Sequence, residues 1–449
     1  MAKAFSNEWS FDLAGGADTI VARSSAAGRA AVAVVRISGP ATGAIAAAIA
    51  PDVDVTRPWR AALTSVRDAA GDEIDRSIAI FYRRPRSYTG EDMLELMVHG
   101  APWIVRTIMV AACDAGARPA GPGEFTRRAV ANGKMDLVQA EAVNDLVRAE
   151  TAWQARLARA QADGVLSGRF GALRDGLVEL LARLEGSLDF SDHEAESERA
   201  VVEERLVEVV GTTRELLATA RAGRRVRDGL RVVIAGPPNS GKSTLFNRLV
   251  GREGAIVSPH PGTTRDVVEA EIEVSGVRVV LKDTAGVGAS SDPIEREGIR
   301  RATGAVAEAD LVLLLAAADD TAVAMPPLAP DRAAVRVRSK WDLDPHRARP
   351  DGWLPVSCRT GEGLSELHGA LASAVTEGIA DLGGEWAISE RHRAALANAL
   401  DELERVDLEH PELAVENVRA AAAAVGELTG EVLTEDVLDR IFGTFCIGK

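Results

Sequence analysis

The sequence predicts a multidomain chain: an α+β N-terminal domain, an all-α helical domain, and an inserted α/β phosphate-loop domain with a mostly parallel sheet. Three observations predict it. A phosphate-cradling pattern, Gly236-Pro237-Pro238-Asn239-Ser240-Gly241-Lys242-Ser243-Thr244, lies between a strand-like run, Leu230 to Ala235, and a helix-like run, Thr244 to Val250. That is the context the G-x-x-x-x-G-K-[ST] pattern requires. Strand and helix signals alternate after it, as in parallel sheets. Helical periodicity flanks this segment on both sides, so the simplest architecture inserts it into a helical domain.

Composition bounds the reading. The 449 residues suffice for two or three domains with sizeable cores. A formal net charge of −15 argues against whole-surface attraction to nucleic acid and leaves room for a local basic patch. The three cysteines, Cys113, Cys358 and Cys446, are scattered, with no C-x-x-C pair, as in a reduced intracellular protein without structural zinc. No apolar run reaches the roughly 18 residues of a membrane span. The N-terminus lacks a basic segment followed by an apolar core. The expected location is the cytoplasm.

In chain order, Met1 to Asp12 reads as a frayed extension, and Thr19-Ile20-Val21-Ala22 as the first element. Ala31 to Gly39 reads as a strand closed by a turn glycine, with further strands at Ile78–Tyr82 and Met93–Val98. Between the last two lies a hydroxyl-rich loop, Arg86 to Asp92. Trp103 to Ala115 has helical spacing and stops at Gly116. Two charges interrupt the strands. Arg36 is either a strand-end charge reaching solvent or a cation addressing an anionic ligand. Glu95 is either an edge-strand charge or a ligand-facing acid, because a carboxylate in an apolar strand costs free energy unless paired or wet.

From Gly123 to about Arg225 the pattern is helical, with Ala140-Val143-Leu146-Val147 and Leu173-Leu177-Leu180-Leu181-Leu184-Leu188 at spacings of three and four. Asp189 to Glu194 reads as an exposed helix connection, and Arg221 to Asp228, basic and containing Gly223, as a linker. The central segment offers a hairpin, Val267–Val274 and Val277–Lys282 around Ser275-Gly276. Strands follow at Leu311–Leu315, Val335–Val337 and Trp353–Val356, with helices near 294–308 and 363–376. Residues 318–333 read as a surface connection. Helical spacing resumes at Ser389, and the chain ends on Phe442-Gly443-Thr444-Phe445-Cys446-Ile447-Gly448-Lys449, unusual for a free tail in keeping two aromatics and a cysteine.

The chemistry of the central segment comes from four short patterns in order. In the phosphate loop the glycines turn backbone N–H groups toward phosphate oxygens, Lys242 reaches the outer phosphates, and the Ser243 hydroxyl suits Mg²⁺. Gly262-Thr263-Thr264-Arg265-Asp266 places a Thr that can ligate Mg²⁺ beside a γ-phosphate. Asp283-Thr284-Ala285-Gly286 ends a strand with an Asp for the Mg²⁺ shell and a Gly for close backbone approach. Ser339-Lys340-Trp341-Asp342 supplies a carboxylate able to accept from guanine N1 and N2, and Ser357-Cys358-Arg359 can close over the base. Singly these are weak patterns. Their order at successive strand ends makes them strong.

This set resembles the GTPases of the TrmE-Era-EngA-YihA-Septin-like superfamily, and in particular the MnmE (TrmE) family of tRNA modification GTPases. Outside the central segment the resemblance is carried by Asp18 to Ala22, Gly28-Arg29, Arg36 to Gly39, Ser87 to Asp92, Pro122 to Thr126, Gly133 to Ala142 and Phe445 to Lys449. It implies a folate-binding and dimerisation domain at 13–131, a helical domain at 132–227 and 381–449, and a GTPase domain at 228–380. It implies a homodimer that binds 5,10-methylenetetrahydrofolate, with 5-formyltetrahydrofolate as analogue, through Arg36, Glu95, Lys134 and Lys449.

The resemblance also implies a nucleotide site made by Asn239 to Thr244, Ser258-Pro259-His260-Pro261-Gly262-Thr263-Thr264, Asp283 to Gly286, Ser339 to Asp342 and Ser357 to Arg359. Mg²⁺ is then held by Ser243 and Thr264. In place of an arginine finger, K⁺ is held by Asn239, Ser258, His260 and Thr263 when two GTPase domains meet. Glu295, by its position alone an ordinary first-turn helix acid, becomes the residue that positions the attacking water. Cys446, by position a small packed residue or a chemical one, matches a cysteine linked to the modification chemistry. The implied partners are tRNA and the flavoprotein MnmG (GidA), which brings FAD and NADH and forms a heterotetramer or larger. The implied activity adds a carboxymethylaminomethyl or aminomethyl group to the wobble uridine. A GTPase switch in regulation or ribosome assembly is the alternative. Three positions depart from the family pattern: Ser339 for the usual Asn, which loses an amide that braces the phosphate loop and leaves guanine to Asp342, Gly288 where relatives often carry Arg, and Cys358 for the usual Ala.

Overall fold

The computed structural model describes residues 18–187, 192–253, 268–283, 304–318, 333–343, 351–377, 386–430 and 435–448. By contacts the chain forms two compact units, Met1–Asn144 with Val425–Lys449, and Asp145–Ala424. The last 25 residues lie in the first of these units.

In the first unit, β1 (Thr19–Arg23), β2 (Ala30–Ser38), β3 (Ala61–Arg67), β4 (Glu73–Tyr82), β5 (Met93–Gly100) and β6 (Ala117–Pro119) form one sheet in the order β3-β4-β5-β2-β1-β6. Only the β1–β6 pair is parallel. Strict alternation sends Val35, Ile37, Leu94, Leu96, Ala79 and Phe81 into a core shared with α1 (Thr42–Ile49) and α2 (Pro102–Asp114). β3 and α1 are additions to the sequence reading: Ala-rich stretches with little polar contrast give weak periodicity, and burial on the sheet selects their structure. α3 (Glu124–Ala131) and the start of α4 (Leu137–Arg148) pack with α13 (Glu435–Phe442), whose end places Phe442 and Phe445 against Leu137 and Ala140. The two aromatics of the tail are therefore core residues.

In the second unit α5 (Ala152–Ala162) starts at a capping box, Thr151 with Gln154. α6 (Val165–Ser187), α7 (Asp192–Ala218), α8 (Ala220–Asp228), α11 (Glu390–Glu404) and most of α12 (Pro411–Thr429) complete the helical part, with α11 packed on α7. Residues 221–228, expected as a linker, are helix α8. Ala222 and Val226 are buried, Arg225 donates to the Glu377 carbonyl at 2.9 Å, and Arg224 and Arg227 pair with Asp310 and Asp145. These tertiary partners override the helix-weakening Gly223.

The inserted sheet comprises β7 (Leu230–Ala235), β8 (Val268–Val274), β9 (Val277–Asp283), β10 (Leu311–Ala317), β11 (Ala334–Ser339) and β12 (Leu354–Pro355), in the order β12-β11-β10-β7-β9-β8. It is parallel except for the β8–β9 hairpin. Ser275 and Gly276 turn that hairpin with φ of 52° and 80°, as a type I′ turn requires. α9 (Lys242–Glu253) and α10 (Leu364–Thr376) bury Leu245, Phe246, Leu249, Leu367 and Leu371 on one face; Val306 and Ala309 cover Val233, Val312 and Leu314 on the other. Among the described residues no helix is long and apolar enough to cross a membrane.

Candidate functional site

The nucleotide site is assembled at the C-terminal ends of the parallel strands, where open α/β sheets bind ligands. β7 runs straight into the phosphate loop. A side chain at Gly236 would stand 2.3 Å from the Leu315 carbonyl, so only glycine lets the loop leave the sheet there. Asn239 is exposed and takes φ of 61°, a conformation Asn tolerates better than most residues, and Gly241 takes φ of 88°. The turn brings Lys242 back over its own loop. Its ammonium donates to the carbonyls of Gly236 at 3.1 Å and Pro237 at 2.9 Å. Burial pushes the Lys242 pKa down, and the charge of Asp283 opposes that shift.

Ser243 and Asp283 meet at this point, the Ser243 hydroxyl donating to Asp283 Oδ2 at 2.6 Å. Asp283 Oδ1 and Ser240 Oγ are buried without a hydrogen-bond partner among the described residues. A buried carboxylate oxygen with an unmet lone pair beside a serine hydroxyl is the all-oxygen donor set that hard divalent cations prefer, so the residues present fit Mg²⁺. The expected Thr264, together with Ser258, Pro259, His260, Pro261, Gly262, Thr263, Thr284, Ala285, Gly286, Gly288 and Glu295, lies outside the described residues, as does Lys449.

The base end is built by β11 and the turns after β11 and β12. Asp342 accepts from the Ser357 hydroxyl at 2.7 Å and from Arg359 Nε at 2.8 Å. The Ser357 hydroxyl bond, then Arg359, hold its carboxyl below the usual range, so it is ionised and ready to accept. Lys340 turns with φ of 56°, and Trp341 beside it is buried. Burial pushes the Cys358 thiol up, which leaves it a packed neutral group. At Ser339, the loss of the usual Asn leads to an expectation of an unbraced phosphate loop. The structure instead shows the Ser339 hydroxyl donating to the Ser240 carbonyl at 2.5 Å, with the Ala316 carbonyl at 3.4 Å. A shorter side chain keeps the brace.

The first unit brings a second set of residues together. Antiparallel register sets Arg36 opposite Glu95 across β2 and β5. Their side chains pair, Arg36 Nε and Nη2 reaching Glu95 Oε1 at 2.9 and 2.8 Å, with 17% and 14% of each side chain exposed. Tyr82 donates to Glu95 Oε2 at 3.1 Å, and burial with the Glu95 charge pushes its hydroxyl up to about 12. The guanidinium of Arg36 lies 5.1 Å from the Tyr88 ring centroid and 5.6 Å from that of Phe125. Both tyrosines of the chain thus stand at this pair. The sequence placed Tyr82 at a strand end and Tyr88 in the Ser87–Asp92 segment without a site role for either; their rarity was the available signal. The exposed Lys134 lays its stem over Gly90, two residues beyond Tyr88.

The chain's end docks beside these strands. Ile447 bridges Pro122, the Cys446 carbonyl accepts from Gly123 N at 3.4 Å, and the Ser24 hydroxyl donates to the Gly448 carbonyl at 2.9 Å. Arg23, whose carbonyl lies against Gly448, follows Ala22, the register partner of Arg36. Cys446 is exposed and free. Arg36 and Glu95 are in direct contact, while Lys134, in the turn after α3, lies against the loop before β5, and the tail that carries Cys446 docks at the end of β1.

A parallel sheet with a lysine-bearing phosphate loop, an aspartate ending the adjoining strand and a serine-held aspartate at the base end defines a phosphate-loop GTPase. The family model described as the MnmE helical domain matches residues 137–446, and that described as the GTP-binding protein TrmE N-terminus matches residues 19–134. The tRNA modification GTPase MnmE of Methylobacterium radiotolerans is 43% identical over 444 residues, covering 96% of this chain and 99% of that protein. That of Thermus thermophilus is 43% identical over 439 residues, with 96% and 99% covered. The chain belongs to the MnmE family of tRNA modification GTPases.

Proposed function

We propose that this GTPase is K⁺-activated and works in the cytoplasm as a homodimer with the flavoprotein MnmG, adding a carboxymethylaminomethyl or aminomethyl group to C5 of the wobble uridine of certain tRNAs. The observation that carries this reading is the docking of the Cys446 tail onto β1, next to the strand that bears Arg36. A GTPase that acted only as a switch has no use for an exposed thiol on a tail docked against the strand next to the Arg36–Glu95 pair.

In this reading Lys242 and the loop N–H groups bind the phosphates, Ser243 and Thr264 hold Mg²⁺, and Asp342 selects guanine. Asn239, Ser258, His260 and Thr263 hold K⁺, and Glu295 orients the attacking water. Bound cations supply positive charge where the transition state gathers negative charge. Arg36 and Glu95 offer a cation and a carboxylate acceptor to the folate, the guanidinium steadied between the Tyr88 and Phe125 rings. Lys134 and Lys449 extend that positive charge, and FAD and NADH reside on MnmG. The outer sheet face of the first unit supports homodimerisation: Leu63 and Ile78 are register partners and 63% and 45% exposed.

The test is mass analysis of wobble uridines in cells lacking this protein, where loss of the aminomethyl-type group is expected and unchanged nucleosides would sink the reading. The cation assignment has its own check. Hydrolysis equally fast in Na⁺ and K⁺ removes it.

A further inference from the structure

We propose that Trp59, with Arg57, Arg60, Arg83, Arg84 and Arg86, forms a platform for a single-stranded RNA loop, an unpaired base stacking on the indole while the guanidinium groups hold its phosphates. This rests on the tRNA reading above, since the platform adjoins the Arg36–Glu95 pair.

Trp59 is held in an unusual way. Its backbone has φ of 68°, a strained conformation for a bulky residue, and it is fixed there by a hydrogen bond from its N–H to the Phe81 carbonyl at 2.8 Å. The strain does not bury the indole, which is 55% exposed. The ring meets Tyr82 edge-on, with centroids 4.8 Å apart and planes at 87°, and the Tyr82 hydroxyl is the one that donates to Glu95. One face of an indole held edge-on to its neighbour remains available for stacking.

The surrounding charge is mostly positive, five arginines against Asp54 and Asp92. Arg83 ties the two segments together, donating to the Val55 carbonyl at 3.1 Å and lying 5.5 Å from the Phe81 ring. Arg57 faces Asp54 at 3.6 Å and Arg83 faces Asp92 at 3.4 Å. Arg60, Arg84 and Arg86 are exposed and make no ion pair with a carboxylate among the described residues. On a chain of net charge −15 this cluster is a local reversal of sign. Guanidinium groups around an exposed aromatic suit a single strand, because every unpaired base has a face to stack and every nucleotide a phosphate. A paired helix keeps its bases out of the indole's reach, and an acidic protein partner leaves the indole unexplained.

The experiment uses the full chain and two labelled RNAs, a hairpin with an unpaired loop and a fully paired duplex of equal length, with binding followed by anisotropy across a salt series. The hairpin should bind more tightly. Trp59→Ala should weaken the hairpin by about tenfold, as for loss of one stacked base, without changing the duplex, and Trp59→Phe should restore most of it. Arg84→Glu with Arg86→Glu should weaken both RNAs and flatten the salt dependence. Circular dichroism checks that each variant folds.

A wild-type chain that binds no hairpin, or variants that bind it as tightly as wild type, overturns the proposal. So does a Trp59→Ala chain that loses dimer mass in sedimentation while keeping its RNA affinity, which would make the patch a protein contact. If binding behaves as expected but wobble uridines are unchanged without the protein, the platform stands and the modification reading falls. If the variants have no effect while the nucleosides do change, the reverse holds.

Discussion

The nucleotide site draws its groups from stretches that are each continuous in the chain, whereas the Arg36–Glu95 site draws single residues from separate strands, a loop, a helix and the C-terminal tail. In the first, a loop of nine residues carries the glycine at the crossing of β10, the left-handed turn and the lysine that folds back on Gly236 and Pro237. In the second, Arg36 meets Glu95 only because β2 and β5 pair in one register, and a one-residue slip would turn them to opposite faces. A site made of backbone travels as a motif. A site made of register depends on the whole sheet.

Both sites hold their charged groups on internal partners. Lys242 leans on loop carbonyls, Ser243 on Asp283, Asp342 on Ser357 and Arg359, and Arg36 on Glu95. Such contacts fix the side chains before a ligand arrives, which lowers the ordering cost of binding. They also mean that a ligand must exchange one hydrogen bond for another, so geometry rather than raw charge decides affinity.

The largest expected effect falls on the continuous site. Lys242→Ala removes the only side-chain cation of the phosphate loop, and a preorganised donor of this kind is worth about 10² to 10³ in kcat. Single-turnover GTP hydrolysis measures it. Because the damage is confined to one loop, the folate binding proposed for the first unit, followed by calorimetry with 5-formyltetrahydrofolate, should stay at the wild-type value. A parallel loss of both would show that the two sites are not built independently.

The same contrast explains what was legible in the sequence. The phosphate loop, Asp283 and the Asp342 and Ser357 turns could be placed because each sits at the end of a strand signal and all four come in order along the chain. Arg36 and Glu95 stood out as charges in apolar strands, but nothing local announced that they face one another. Tyr82, Tyr88 and Phe125 were silent for the same reason: their role follows from where β4, the loop after it and α3 converge. Helix α8 looked like a linker because its arginines and glycine read as polar and flexible, and their partners Asp145, Asp310 and Glu377 lie far away in sequence. At Ser339 a missing amide reads as a lost brace, while a hydroxyl makes the bond to the Ser240 carbonyl.

A middle-sized effect should come from the remote end of the chain. Gly448 has φ of 99°, and a side chain there would stand 2.1 Å from the Arg23 carbonyl. Gly448→Ala therefore has to lift the tail, breaking the Ser24 hydrogen bond, while Phe442 and Phe445 keep the last helix anchored. Strain of this kind costs about 1–3 kcal/mol, so affinity for 5-formyltetrahydrofolate should fall roughly fivefold to a hundredfold, with GTP hydrolysis unchanged. Unaltered folate affinity would detach the tail from the second site and leave that site to the strands alone.

The smallest effect should come from Ser339→Ala, which probes a bond that the continuous site borrows from a distant strand. The Ser339 hydroxyl joins the end of β11 to the Ser240 carbonyl inside the phosphate loop. Removing it withdraws a single neutral hydrogen bond, worth about 0.5–1.5 kcal/mol net, and leaves a loop whose shape is still set by Gly236, Asn239 and Gly241. GTP should then bind roughly two- to tenfold more weakly, with kcat nearly unchanged, because Lys242 and Ser243 keep their own partners. The preference for GTP over ITP should also persist, since the groups around Asp342 are untouched. Stopped-flow titration with both nucleotides separates these quantities. A fall in kcat as large as that of Lys242→Ala would mean that the phosphate loop depends on β11 for its shape, and would erase the distinction between the two ways of building a site.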